Sequence, residues 1–260
     1  MKQLYFLSGM QRSGSTLLTC LLNQNPQIFA TKTSPLLDIL SSCEKTLKEV
    51  YNQYTFNYEE KNKNLTLGVL NSFHSNEDFP IIIDKHRGWI GAIDLVKKIH
   101  NPKIICTNRS VPEVIASFIN LIEKNNSLNN SIDKSLRNKG LPISITNRAE
   151  HIFYNFVNNP REGILSALEK NRDYIHMVEY NDLVNNPNET ISRIYKFLDI
   201  EYFEHNFDNI ENTCKEEKDL AWGIENLHVI RNKLQKTSTP PEEVLGKELT
   251  EYYRQFDIKY

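Results

Sequence analysis

The segment FLSGMQRSGSTLLTCLL, Phe6 to Leu22, passes from an apolar strand through a turn of Gly and Ser into a helix. Within it, Gly9-Met10-Gln11-Arg12-Ser13-Gly14-Ser15-Thr16 carries two glycines at the GxxxxG spacing of a phosphate loop. Glycines let main-chain N–H groups converge, and the start of the following helix adds partial positive charge, so a phosphate or sulfate can sit there. A triphosphate binder would place a lysine directly after the second glycine, where it reaches the β- and γ-phosphates. Here that position is Ser15, and the charge is supplied by Arg12 on the other side of the turn. Main-chain groups and the Ser15 and Thr16 hydroxyls can hold one terminal anion, but this is poor equipment for a nucleoside triphosphate with Mg²⁺.

The rest of the chain frames that loop. With 260 residues, 39% hydrophobic and 25% charged, length allows two domains, and one large α/β domain over 1–260 is expected. A net charge of -2 gives no global attraction to nucleic acid or an anionic membrane, so an anion must be held locally. Cys20, Cys43, Cys106 and Cys214 show no CxxC spacing and read as free thiols in a reducing compartment. No carboxylate or histidine cluster has metal-ligand spacing. Leu4–Leu7 is too short for a secretory segment or a membrane span, so a cytoplasmic location is expected.

Short apolar runs alternate with longer amphipathic ones, the pattern of a mostly parallel central sheet covered by helices in a three-layer α/β sandwich. Strands are expected at Gln3–Leu7, Pro80–Ile83, Lys103–Thr107 and Tyr174–Val178. Helices are expected after the first turn, at Trp89–Ile99, from Ser110 to about Ile122, and at Arg148–Val157, Arg161–Asn171 and Pro187–Leu198. Ser110-Val111-Pro112-Glu113 has the form of a capping box. From Lys124 to Arg148 the chain is polar, Asn-rich and basic without strong periodicity, which suits a mobile lid or a solvated loop equally. Pro240-Pro241-Glu242-Glu243 opens a last helix.

Arg12-Ser13-Gly14-Ser15-Thr16-Leu17 after an apolar strand resembles the 5′-phosphosulfate loop of sulfotransferases that use 3′-phosphoadenylyl sulfate (PAPS). Arg109, at the end of the third expected strand, is followed eight residues later by Ser117, which resembles that family's 3′-phosphate motif; Ser110 stands where the family usually has Asp or Asn. A guanidinium there can grip a phosphate at two points. Lys85 lies 24 residues before Arg109, the separation that cytosolic sulfotransferases show for their catalytic lysine. Tyr180, in Val178-Glu179-Tyr180-Asn181-Asp182-Leu183, is similar to a tyrosine that faces the nucleotide in tyrosylprotein sulfotransferases. Arg231 and Lys233 resemble a C-terminal loop that folds over it.

The resemblance implies sulfuryl transfer from PAPS, with 3′-phosphoadenosine 5′-phosphate (PAP) as product, to a hydroxyl or amine of a small-molecule, saccharide or peptide acceptor, without metal. It assigns Arg12, Ser13, Gly14, Ser15 and Thr16 to the phosphosulfate, Arg109 and Ser117 to the 3′-phosphate, and Lys85 with Arg12 to the departing bridge oxygen. The family's bases are not in place. Cytosolic enzymes carry a histidine at the position of Arg87, and tyrosylprotein enzymes a glutamate in the region of Thr31-Lys32-Thr33-Ser34-Pro35. His86, offset by one, Asp38 and Asp84 stand as alternatives for the base. Acceptor-facing residues are expected in 30–79 and 121–156. A small-metabolite kinase and an inactive PAP- or PAPS-binding protein are the rival readings.

Overall fold

In the computed structural model, residues 2–51, 57–97, 101–125, 130–213, 230–235 and 239–260 are described. Five strands, β1 (Gln3–Gly9), β2 (Ile28–Ala30), β3 (Ile81–Lys85), β4 (Ile104–Asn108) and β5 (Ile175–Glu179), form a parallel sheet in the order β2-β3-β1-β4-β5. The four longer strands lie within two residues of the expected ones. The three-residue β2 is too short to show a period of its own.

Strand alternation sorts the side chains of β1 to two faces. Tyr5 and Leu7 join one buried cluster with α1 (Ser15–Leu22) and α10 (Pro187–Leu198). Phe6 joins the other, with α5 (Val111–Asn125), α7 (Ile145–Ile152) and α8 (Asn158–Asn171). The result is the expected three-layer α/β sandwich. Among the described residues no helix is long and apolar enough to cross a membrane. Cys43 and Cys106 are free thiols, the Cys20 Sγ lies 3.7 Å from the Thr213 hydroxyl, and Cys214 lies outside the described residues.

Three local expectations are corrected. Trp89 to Ile99 is a 3₁₀ turn, Arg87–Gly91, followed by the short α4 (Ile93–Lys97), with Trp89, Ile93 and Val96 buried as their spacing suggested. Helices expected at Arg148–Val157 and Arg161–Asn171 instead run on from α7 through a π turn, Phe153–Val157, into α8. The wider turn comes just before Pro160, whose ring and missing N–H disturb a regular i to i−4 ladder.

The third correction bears on function. Much of the stretch from Lys124 to Arg148 is folded: α6 (Ser131–Asn138) and the start of α7 lie within it, with Ile132 and Leu136 buried. Asn130 caps α6, accepting from Asp133 N–H at 2.8 Å and donating back to Asp133 Oδ2 at 2.9 Å. Arg148 grips the same carboxylate at two points, 2.8 and 2.7 Å. The remaining helices are α2 (Leu36–Tyr51) and α3 (Tyr58–Phe73) between β2 and β3, α9 (Tyr180–Asn185) after β5, and α11 (Pro241–Leu245) and α12 (Lys247–Arg254) near the end.

Burial alone would raise the pKa of the Asp133 carboxyl, but the bonds from Arg148 and Asn130 outweigh it and hold the group below its ordinary value. A depressed carboxylate stabilises the fold above its unfolded pKa of about 4 and loses that contribution as pH falls through the folded value. Arg148→Ala is expected to cost about 3 kcal/mol at neutral pH by leaving Asp133 without its ion-pair partner. Urea midpoints should show this loss at pH 7 and a smaller difference from wild type at pH 3.

Candidate functional site

The carboxyl ends of β1, β3 and β4 meet at one edge of the sheet, where parallel α/β folds collect ligands. At the end of β1 the main chain is pressed against β4. Gly9 has φ 138°, and a Cβ there would lie 2.3 Å from Thr107 Oγ1 and 2.4 Å from Thr107 O. Met10 N–H donates to that same carbonyl at 3.2 Å. Ser13, buried, donates from its hydroxyl to Met10 C=O at 2.6 Å and lies 2.7 Å from the Thr107 hydroxyl. Its hydroxyl is therefore spent inside the loop, and it can meet a ligand through its main chain only.

The loop then turns through two left-handed residues, Arg12 (φ 59°) and Gly14 (φ 90°). Gly14 is the N-cap of α1, and a Cβ there would come within 2.8 Å of the Tyr180 ring. The helical ladder includes Leu18 N–H to Gly14 C=O at 2.9 Å, and the N–H groups of the turn before it point out of the helix end. Ser15 and Thr16, half-buried, line this end.

Three cations reach the loop from three elements. Arg12 Nε donates to Ser117 Oγ on α5 at 3.2 Å, which joins the first two motifs seen in the sequence. Arg109, at the end of β4, donates from Nη1 to Arg12 C=O at 3.1 Å and from Nε to Glu113 Oε2 at 2.9 Å. Its guanidinium carbon stands 4.2 Å from the centroid of the Tyr180 ring, and its side chain is 6% exposed. Nη2 has no protein partner among the described residues, so a fixed guanidinium keeps one donor edge for a ligand. Lys85, at the end of β3 and nearly buried, extends Nζ to 3.2 Å from Thr16 Oγ1.

Residues not singled out in the sequence complete this frame. Glu113 holds Arg109 and also accepts from Asn181 Nδ2 at 3.3 Å. The capping box expected at Ser110 does not form: Glu113 is drawn to Arg109, and Ser110 Oγ and Val111 N–H both donate to Asp257, at 3.0 and 2.6 Å. Burial pushes that Asp257 carboxyl up despite those bonds. Glu113 was legible, since it stands four residues after Arg109 on a helix, whereas Asp257 is far away in sequence.

The alternatives for the base separate clearly. Asp84 is fully buried, accepting from Trp89 Nε1–H at 2.7 Å and lying 2.8 Å from His74 Nε2, so both oxygens are engaged away from solvent. It is a structural carboxylate and drops out. His86, half-buried, accepts Gly88 N–H at Nδ1, 3.0 Å, and its Nε2 lies 3.5 Å from Asp38 Oδ1 on α2.

Arg231 and Lys233 are not brought to the loop. Their segment pairs with another through Ile210 N–H to Asn232 C=O and Leu234 N–H to Phe207 C=O, and Lys233 is held by Asp208 at 2.7 Å. The partner segment is bonded to Gln24, past the carboxyl end of α1 and opposite the loop.

A glycine turn set on a parallel sheet is thus flanked by Lys85 at the start of α1 and by Arg12 and Arg109, bonded to Ser117 and to the loop's own main chain. A sequence profile of the sulfotransferase family matches residues 5–204. The chain belongs to the sulfotransferase family. No curated protein sequence matches it. The sulfotransferase domain from the curacin biosynthetic pathway shares its fold, with a TM-score of 0.53 at 17% identity over 100% of this chain and 92% of that one. The sulfotransferase domain from the Synechococcus PCC 7002 olefin synthase gives 0.52 at 16% identity, covering 100% and 96%. Sulfotransferase STF9 from Mycobacterium avium gives 0.52 at 14%, covering 99% and 78%. This sulfotransferase thus keeps the fold of those structures with little of their sequence.

The pressed contact at Gly9 makes a stability prediction for the sulfotransferase. Gly9→Ala puts a methyl group inside the main chain of Thr107, and neither strand can yield without breaking the β1–β4 pairing. A loss of roughly 3 kcal/mol is expected in urea denaturation.

Proposed function

We propose that this sulfotransferase transfers a sulfuryl group from PAPS to a hydroxyl or amine acceptor. The observation that carries the reading is the route by which positive charge reaches the start of α1. A triphosphate loop would carry its lysine at position 15, whereas here Lys85 comes in from β3 to the Thr16 hydroxyl and Arg12 closes the loop from the other side. That arrangement suits one terminal sulfated phosphate, with two cations to serve its bridge. The fit to the nucleotide is supported independently by Gly9 and Gly14, whose missing side chains leave the loop its shape, and by the open Nη2 edge of Arg109.

When bound, PAPS supplies an activated sulfuryl group on a good leaving group. The protein's part is positioning and charge stabilisation, as in phosphoryl transfer. The loop N–H groups with Ser15 and Thr16 hold the 5′-phosphosulfate, together with the main chain of Ser13 and Gly14. Arg109 and Ser117 take the 3′-phosphate, and Tyr180 keeps the guanidinium planar against the loop. Lys85 and Arg12 stabilise the oxygen on which negative charge develops. Residues 30–79 and 121–156 provide the helices beside which an acceptor, whether small molecule, saccharide or peptide, would dock.

Incubation with ³⁵S-labelled PAPS and extracts of the source cells is expected to label an acceptor. Lys85→Ala should abolish labelling while PAP affinity changes by less than about tenfold, because Lys85 serves the transition state more than the ground state. In thermal-shift titrations PAP should stabilise the protein and ATP with Mg²⁺ should not. Arg109→Ala should weaken PAP by about 10- to 100-fold more than it weakens adenosine 5′-phosphate, which lacks the 3′-phosphate. Stabilisation by ATP in place of PAP would instead indicate a kinase, and PAP binding without PAPS turnover a binding protein.

A further inference from the structure

The sequence offers no base at either position where related enzymes carry one, yet an acceptor hydroxyl must lose its proton as it is sulfated. We propose that Asp38 takes that proton and that His86 positions it. The proposal rests on the sulfotransferase reading above and deepens it.

The hydrogen bonds of His86 exclude the ring itself. Nδ1 accepts from Gly88 N–H at 3.0 Å, so a neutral imidazole carries its proton on Nε2, the nitrogen that faces Asp38 at 3.5 Å. One lone pair is occupied and the other nitrogen is already protonated, so the ring has nothing with which to accept a proton. What it can do is donate to a carboxylate. Asp84 is buried and doubly engaged, and the Thr31 hydroxyl is taken by Lys85 N–H at 2.8 Å. Asp38 remains, with its side chain 72% exposed.

The local fold holds Asp38 beside the reacting edge. Ser34 N–H donates to Lys85 C=O at 2.9 Å, and Ser34 Oγ accepts Leu36 N–H at 3.1 Å as α2 begins. The first turn of α2, with Asp38 in it, is thereby tied to the residue that carries the catalytic ammonium, and the helix dipole favours a carboxylate there. The 3₁₀ turn beneath is built to seat the ring. A Cβ on Gly88 would lie 2.7 Å from Leu37 Cδ2, 3.1 Å from His86 Nδ1 and 3.2 Å from His86 Cε1. The glycine lets ring, turn and helix pack closely, since a side chain there would press on Leu37 and the imidazole. At 3.5 Å the pair is an ion-pair contact, and catalytic hydrogen bonds of this kind tighten when substrate binds.

In the step proposed, the acceptor oxygen bonds to sulfur while the bond from sulfur to the bridging oxygen breaks, its electron pair staying on the phosphate beside Lys85 and Arg12. Asp38 receives the hydroxyl proton, held meanwhile by the Nε2–H of His86, and releases it to water from its exposed position.

The test uses the acceptor found by the labelled-PAPS screen. Asp38→Asn is expected to lower kcat about 100-fold, the lower range for loss of a general base, with acceptor KM, PAP affinity and melting temperature close to wild type. Asp38→Glu should restore part of the rate. His86→Gln, whose side-chain amide still donates, should lose less than His86→Phe. Independently of activity, ¹⁵N spectra of the imidazoles should find the His86 proton on Nε2, with its signal moved by Asp38→Asn and left in place by Glu44→Gln on the same helix. An Asp38→Asn enzyme within about threefold of wild-type kcat, or a His86 proton on Nδ1, overturns the assignment while leaving the sulfotransferase reading intact. Failure of PAPS to label any acceptor overturns both.

Discussion

The contact of Gly9 with the main chain of Thr107 is the constraint on which the rest of this edge depends. Because no side chain intervenes, β1 turns sharply at the level of β4, and the Thr107 carbonyl can receive Met10 N–H. Ser13 then folds its hydroxyl back onto Met10, and Arg12 is forced into the left-handed region with its carbonyl facing β4. Arg109 finds that carbonyl, so the glycine loop and the arginine at the end of β4 are parts of one hydrogen-bonded unit. Strain at Arg12 and two positive-φ glycines is the cost of that unit, and the buried pairing of β1 with β3 and β4 on either side sustains it.

Charge is arranged to match. The chain as a whole is close to neutral, yet Arg12, Lys85 and Arg109 are delivered to one helix start from the loop, β3 and β4. Each is held by a group that fixes direction: Ser117 for Arg12, Thr16 for Lys85, and Glu113 with the Tyr180 ring for Arg109. Fixed cations need little reorganisation when negative charge shifts during transfer, which is where an electrostatic site gains its effect. The folding of 130–152 into α6 and α7, pinned by Arg148 on Asp133, means that the region beside α5 presents a formed surface instead of a loose lid.

Legibility in the sequence followed the range of the interaction. The glycine turn and the four longer strands are local patterns, each carried by residues within one strand–turn–helix unit, and they stand where expected. Short-range signals failed where a distant partner won. Ser110 and Glu113 look like a capping box until Asp257 and Arg109 claim them. The Asn-rich run before Arg148 hides α6 because eight residues offer only two apolar positions to read, Ile132 and Leu136, and the helix is held by the Asn130 cap and by Arg148 on Asp133. Arg231 and Lys233 looked suited to an anion, but their segment is paired by main-chain bonds at the other end of α1.

By itself the sequence determined the α/β class, the glycine turn after β1 and the positions of the three basic residues, because glycine spacing, strand hydrophobicity and the position of a cation at a strand end are properties of adjacent residues. Tertiary structure alone decided how those cations are aimed and which carboxylate is buried and which exposed. Asp84 and Asp38 are equal as letters. The fold buries one against Trp89 and His74 and leaves the other in solvent facing His86, and only the packing of α2 and the 3₁₀ turn onto β3 makes that difference.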